Sequence, residues 1–233
     1  MLTDDLLART SAIGPYFAVG TGPREDAAGF VPLARLYADP ALLAGAAADV
    51  GRRMGTGDVR VAASTLQLGL ASRLWSVALG TAALAGRVPD LSPERLWWRA
   101  VTSGPLALWL VDPVAAVPGD PADTLHEVVV EGHLTPLAAE MRRVFRLSPQ
   151  VLRGNAASAL VGTLRVLHAQ LPHPDFPPLP WARALLDREP LAGTGRLSTR
   201  GGEVVAFRRR SCCLYYRVGG GVCGDCVLDR STA

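Results

Sequence analysis

Along most of this chain the apolar positions repeat at helical spacing, and the helix starts are marked by capping residues. Residues 1–12 read as a short helix stopped at Gly14-Pro15, and a polar, glycine-bearing loop follows from Gly20 to Gly29. Asp39-Pro40 sets an N-cap aspartate before a first-turn proline, which predicts a helix over 41–54. Asp58 opens a longer one over 59–85. That stretch is apolar on nearly every face, and Gly69, Ala71, Ser72 and Gly80 allow close approach, so it predicts a buried central helix. Thr135-Pro136 leads a helix to Phe145, and Ser148-Pro149 leads another to Gln170. On the latter, Asn155, Ser158, Gly162 and Arg165 share a polar or small stripe beside one of Leu152, Ala156, Ala159 and Thr163. A proline-rich linker over 172–180 precedes a last helix over 181–188.

Strand-like patterns are fewer. Residues 96–101 and 106–111 read as two strands about the turn Thr102-Ser103-Gly104-Pro105, with a helix over 92–101 as the alternative. After a proline-rich loop over 112–121, residues 125–133 alternate, placing His126, Val128 and Val130 opposite Glu127, Val129 and Glu131, and so predict a strand. Residues 195–199 and 203–208 form a hairpin about Arg200-Gly201-Gly202. The expected class is α+β: a predominantly α-helical body, a small antiparallel sheet and a C-terminal segment of another character. No internal repeat is apparent.

Composition narrows the picture by exclusion. At 233 residues, 49% hydrophobic and 19% charged, the chain fits one large domain, or one domain with a small appendage, and is not disordered. A formal charge of +3, with no basic stripe interleaved with aromatics, gives no reason to expect nucleic acid. Every basic residue is arginine. The stretch Met1 to Leu7 is acidic where a signal peptide is basic, and the longest uncharged apolar run, Leu74 to Gly86, is short for a membrane span. A cytoplasmic location is expected.

The candidate chemistry is confined to the C-terminus. Ser211 to Leu228 holds all four cysteines: the pair Cys212-Cys213, nine residues, then Cys223-Gly224-Asp225-Cys226. In a cytosolic chain such a layout points to metal rather than to two disulfides. Four thiolates suit either zinc or a [2Fe–2S] cluster with two cysteines per iron. Cys223 and Cys226 can chelate one iron. Side chains of neighbouring residues on extended backbone diverge, so Cys212 and Cys213 can share an iron only if the chain kinks there. Gly219, Gly220 and Gly221 allow the loop to fold back between the two pairs.

With Arg208-Arg209-Arg210-Ser211 before the pair and Leu214-Tyr215-Tyr216-Arg217 after it, the segment resembles the FhuF-type ferric siderophore reductases. The spacer is one residue shorter than is usual in that family, a change that a glycine-rich run absorbs. The resemblance is specific over 207–228 and diffuse elsewhere. Gly154-Asn155-Ala156-Ala157-Ser158 resembles the family more faintly, and a helix-packing contact is the simpler account of it.

The resemblance implies a [2Fe–2S] cluster on Cys212, Cys213, Cys223 and Cys226, held by residues 207–229. Residues 1–206 then form a siderophore-docking body. It implies one-electron reduction of siderophore-bound Fe(III) in the cytoplasm, with possible transient association with a membrane or transporter. No nicotinamide or flavin signature occurs, so the electron comes from an external donor, a ferredoxin or a reduced flavin. Arg208, Arg210 and Arg217 are candidates for contact with an anionic ferric chelate. Compensation of an anionic cluster is their other reading. The alternative function is a siderophore-binding or assembly module with a structural four-cysteine zinc site.

Other motifs are weaker. Gly20-Thr21-Gly22 and Gly193-Thr194-Gly195 lack the third glycine and acidic partner of a dinucleotide site, and no Walker A sequence occurs. His126, His133, His168 and His173 have no metal-ligand spacing and read as surface or packed histidines.

Overall fold

A computed structural model of the chain describes residues 4–23, 27–117, 119–201, 203–219 and 221–228. The fold is built around the long apolar helix. α1 (Asp4–Ala12), α2 (Leu33–Ala38) and α3 (Pro40–Met54) lead into α4 (Val59–Ala85), with Asp39 and Asp58 capping α3 and α4 through their carboxylates. Each cap accepts two backbone N–H groups from the first turn, which is why both starts are legible locally. α4 is buried on almost every face and packs against α7 (Pro149–Gln170), α3 and α1. Its Gly80 is required: a Cβ there would stand 2.7 Å from the ring of Phe17. By length and composition α4 could cross a membrane, contrary to the expectation from the shorter run 74–86, but most of it is buried within the protein.

A charged side chain sits in this core. Arg73 is almost fully buried and donates to the carbonyls of Leu106 and Pro15, each at 3.0 Å, and to those of Tyr16 and Ala18. Burial pulls its pKa down to about 10, and the carbonyl cage replaces the water it has lost. Arg73 thereby fastens the loop after α1 and the edge of the sheet to the central helix.

The sheet is antiparallel in the order β1 (Val31–Pro32), β2 (Leu96–Arg99), β3 (Ala107–Leu110), so the strand reading over 96–111 holds over its helical alternative. The expected strand over 125–133 is not one. α5 (Pro121–Leu125), a π-helix (His126–Leu134) and α6 (Thr135–Phe145) form a continuous helical run. Its buried residues, Leu125, Val129, Val130, His133, Leu134 and Leu137, follow one face at spacings of three to five, and that periodicity prevails over the local alternation. Pro136 has no N–H and its ring crowds the carbonyl four residues back, a conflict that the wider π turns ahead of it relieve.

α7 keeps its expected bounds, and α8 (Leu179–Leu186) begins and ends two residues earlier than read. A separate hairpin, β4 (Gly195–Arg200) and β5 (Glu203–Arg209), packs β5 on α7 and leads into the cysteine segment. Its Gly202 lies outside the described residues. The class is as expected: a mainly helical body with two small antiparallel sheets.

Candidate metal centre

β5 sets the orientation of everything that follows. Phe207 and Arg209 point inward and are buried, while Arg208 is half-buried and Arg210 exposed on the other side. The backbone of Arg210 donates to Thr194 and that of Arg209 to Asp225, at 2.8 and 3.1 Å. Ser211 then donates through Oγ to the carbonyl of Gln150 at 2.7 Å, tying the segment to the first turn of α7.

The chain turns immediately after the cysteine pair. Leu214 has φ 72°, unusual for a branched residue and costing on the order of 1–2 kcal/mol. This is the kink that adjacent cysteines need if both are to face one centre. A 3₁₀ turn (Tyr215–Val218) follows and settles beside the start of α4, where Arg217 meets the N-cap Asp58 at 3.2 Å. Gly219 (φ 84°) and Gly221 (φ 107°) reverse the chain, and Gly220 lies outside the described residues. Cys223 and Cys226 close a tight turn, with the N–H of Cys226 on the Cys223 carbonyl at 3.1 Å. Asp225 on this turn pairs with Arg165 of α7 at 2.8 Å.

All four cysteines are free thiols, Cys213 and Cys226 buried, Cys212 and Cys223 partly exposed. Two sulfurs accept a backbone N–H from the residue two further on, Cys212 from Leu214 and Cys226 from Leu228, both at 3.3 Å. The N–H groups of Tyr215 and Asp225 act in the same sense on Cys213 and Cys223, each lowering the thiol pKa. N–H···S bonds tune a metal held by the sulfur. Cys213 and Cys223, one from each pair, hydrogen-bond to each other. That bond from Cys223 is the main reason Cys213 falls to about 6, with the Tyr215 N–H and Arg209 assisting against burial; Cys223 is raised correspondingly.

A network behind the sulfurs links them to both long helices. Ser64 of α4 donates to the Cys213 carbonyl at 2.8 Å. Asn155 of α7 donates through Nδ2 to Ser64 and accepts, at Oδ1, from Nη1 of Arg209 at 2.8 Å. Arg209 also donates through Nη2 to the carbonyl of Val151 at 3.2 Å. Burial lowers the Arg209 pKa, and Cys213, Cys223, Asp225 and Cys212 oppose that loss of charge. From the stripe of Asn155, Ser158, Gly162 and Arg165, Asn155 and Arg165 therefore reach the cysteine segment.

Residues 209–228 match the FhuF 2Fe-2S C-terminal domain. That short match covers all four cysteines and the buried Arg209, and it agrees with the resemblance carried by the cysteine spacing. No curated protein matches the chain.

The residues present fit a [2Fe–2S] group by the chemistry of the donor set. It needs two thiolates per iron and hydrogen bonds to its sulfurs, and the segment offers two cysteine pairs, N–H···S bonds to Cys212 and Cys226 and a buried cation. By residue type the same four thiolates also suit a single zinc ion, and among the described residues no three His, Cys, Asp or Glu side chains converge on one point.

Of the three arginines expected at the substrate, Arg217 is exposed and engages Asp58 and the Tyr216 ring. Arg210 is exposed and, with Arg183, lines a cavity of about 430 Å³ beside the hairpin. Arg208 is half-buried on the outer side of β5. Sequence reasoning did not single out Arg209, although the strand alternation that put it opposite Arg208 and Arg210 was the available signal. His126, His133 and the cysteines do not come together; His133 is buried between Tyr37 and the Leu91 carbonyl.

Proposed function

We propose that this protein is a cytoplasmic ferric siderophore reductase. The observation that carries this reading is the docked segment of four cysteines, two of whose sulfurs accept backbone N–H groups, within residues that match the FhuF 2Fe-2S C-terminal domain. A [2Fe–2S] group bound by Cys212, Cys213, Cys223 and Cys226 supplies one-electron transfer. With that group held by the four cysteines, an external donor, a ferredoxin or a reduced flavin, would supply the electron that reduces Fe(III) of the chelate to Fe(II). Oxygen chelators hold Fe(II) far less tightly, so the reduced iron is released.

The chain's own residues provide docking and exposure. Tyr215, Tyr216, Val222 and Leu228 form an exposed apolar rim about the cysteines, and Arg210 and Arg217 add positive charge facing solvent. That combination suits a bulky, anionic ferric chelate or an acidic protein donor approaching within electron-transfer distance. The helical body holds the inner side of the segment, where Cys213 and Cys226 are buried and Ser64 and Arg165 make their contacts.

Anaerobically purified protein is expected to show visible bands that bleach with dithionite, with about two irons and two sulfides per chain. Cys212→Ser is expected to lose the bands and ferric siderophore reduction while its far-ultraviolet dichroism stays helical. A colourless protein with one zinc, or a Cys212→Ser variant of undiminished activity, overturns the proposal.

A further inference from the structure

The Nε atom of Arg209 is buried and has no hydrogen-bond partner. Its two other nitrogens each have a partner: Nη1 donates to Asn155 and Nη2 to the Val151 carbonyl. Leaving a charged donor buried and unmatched costs on the order of 1–3 kcal/mol or more, so an orphan of this kind marks a place where something is to be bound. Among the described residues Trp98, Ser158 and the Nε of Arg95 lack a hydrogen-bond partner too, but Arg95 Nε stands 3.6 Å from the Asp90 carboxylate, whereas the thiols Cys213, Cys223 and Cys212 and the Asp225 carboxylate are the opposing charges near Arg209.

The fit around the guanidinium is close. It lies against Gly154 of α7, where a Cβ would stand 2.7 Å from Nη2 and 3.2 Å from Nε, and would also strike Ser211 Oγ. Asn155 is itself held by Ser64, so the plane and the direction of Nε are fixed from two helices. The backbone N–H of Arg209 is used as well, on the Asp225 carbonyl within the Cys223–Cys226 turn. Side chain and main chain thus join both halves of the cysteine segment to the body.

Resting on the [2Fe–2S] reading above, we propose that Arg209 is a positioning residue for the cluster, its Nε–H donating to a cluster sulfur and its charge setting the reduction potential. One added electron adds one unit of negative charge to such a group. A buried cation with a fixed N–H stabilises that charge more than it stabilises the oxidised state, and so raises the potential. Arg210 and Arg217, on solvent, are screened and contribute little to this effect.

The test is the midpoint potential of the loaded protein, read by an optical redox titration. Arg209→Gln removes the charge and is expected to lower the reduced-to-oxidised ratio at a fixed potential by tenfold or more, about 59 mV for one electron. Arg209→Lys keeps the charge without the fixed Nε–H and is expected to shift in the same direction by less. Arg217→Gln is expected to leave the potential in place. Wild-type protein carrying ¹⁵N-labelled arginine side chains supplies a readout that does not depend on either Arg209 variant folding. Its reduced form is expected to show a ¹⁵N hyperfine coupling that unlabelled protein lacks.

A loaded Arg209→Gln protein with unchanged potential overturns the proposal, and so does the absence of a labelled-arginine coupling in the wild type. Either result leaves the cluster reading intact, because the visible bands remain. Loss of the reductase reading is a different outcome: wild-type protein that is colourless and holds zinc.

Discussion

His133 is held in a neutral state that depends on where the fold puts it. Its Nε2–H donates to the Leu91 carbonyl at 2.5 Å, which leaves Nδ1 to accept from the Tyr37 hydroxyl at 2.7 Å. Burial lowers its pKa to about 4, with the Leu91 bond acting the other way. The unfolded chain therefore takes up this proton near pH 6.5, and the folded protein does so only near pH 4. The His133 contribution to stability is complete above pH 6.5 and is lost as the pH falls towards 4. The loss amounts to about 3 kcal/mol. Urea unfolding at pH 7 and at pH 4.5 measures it, and in His133→Gln that part of the pH dependence should vanish. Equal slopes in the two proteins would contradict the assignment.

Helix α7 holds two glycines in contrasting surroundings. Gly154 is filled from outside by Arg209 and Ser211, whereas a Cβ at Gly162 meets nothing within 4 Å. Gly154→Ala should destabilise the protein by about 1–3 kcal/mol, because neither backbone-anchored neighbour can retreat cheaply. Gly162→Ala should stabilise it by up to about 1 kcal/mol through helix propensity alone. Denaturant midpoints separate them, and equal shifts for the two variants would show that the segment does not press on α7. The helix bounds themselves were legible because Asp39, Asp58 and Ser148 cap their own first turns, a strictly local signal. The π-helix was not, since the apolar residues over 125–133 satisfy two-residue alternation as well as one helical face, and only packing on the core selects between them.

At the scale of the whole molecule, the C-terminal segment is anchored to both long helices. Arg217 reaches Asp58 at the start of α4, Ser64 reaches the Cys213 carbonyl, and Arg165 reaches Asp225 from α7. The four cysteines stand out in the sequence as candidate metal ligands because all of them fall within one short segment. Of the residues behind them, Asn155 shows only as part of a polar stripe, and Ser64 and Arg209 are not singled out. Asn155, Ser64 and Arg209 are far apart in the chain, and in a run of three arginines composition does not distinguish the buried one. What the sequence does carry is the alternation along β5 that turns Phe207 and Arg209 inward together.

The most direct test of the central claim is a single-turnover experiment. Protein reduced with dithionite and freed of excess reductant is mixed anaerobically with ferric siderophores in the presence of a ferrous-specific trap. The bleached bands are expected to return in the same phase in which the trap captures about one Fe(II) per chain, matching the single electron stored by a [2Fe–2S] centre. A protein whose bands stay bleached in the presence of the ferric chelates, with no ferrous iron trapped, would contradict the account.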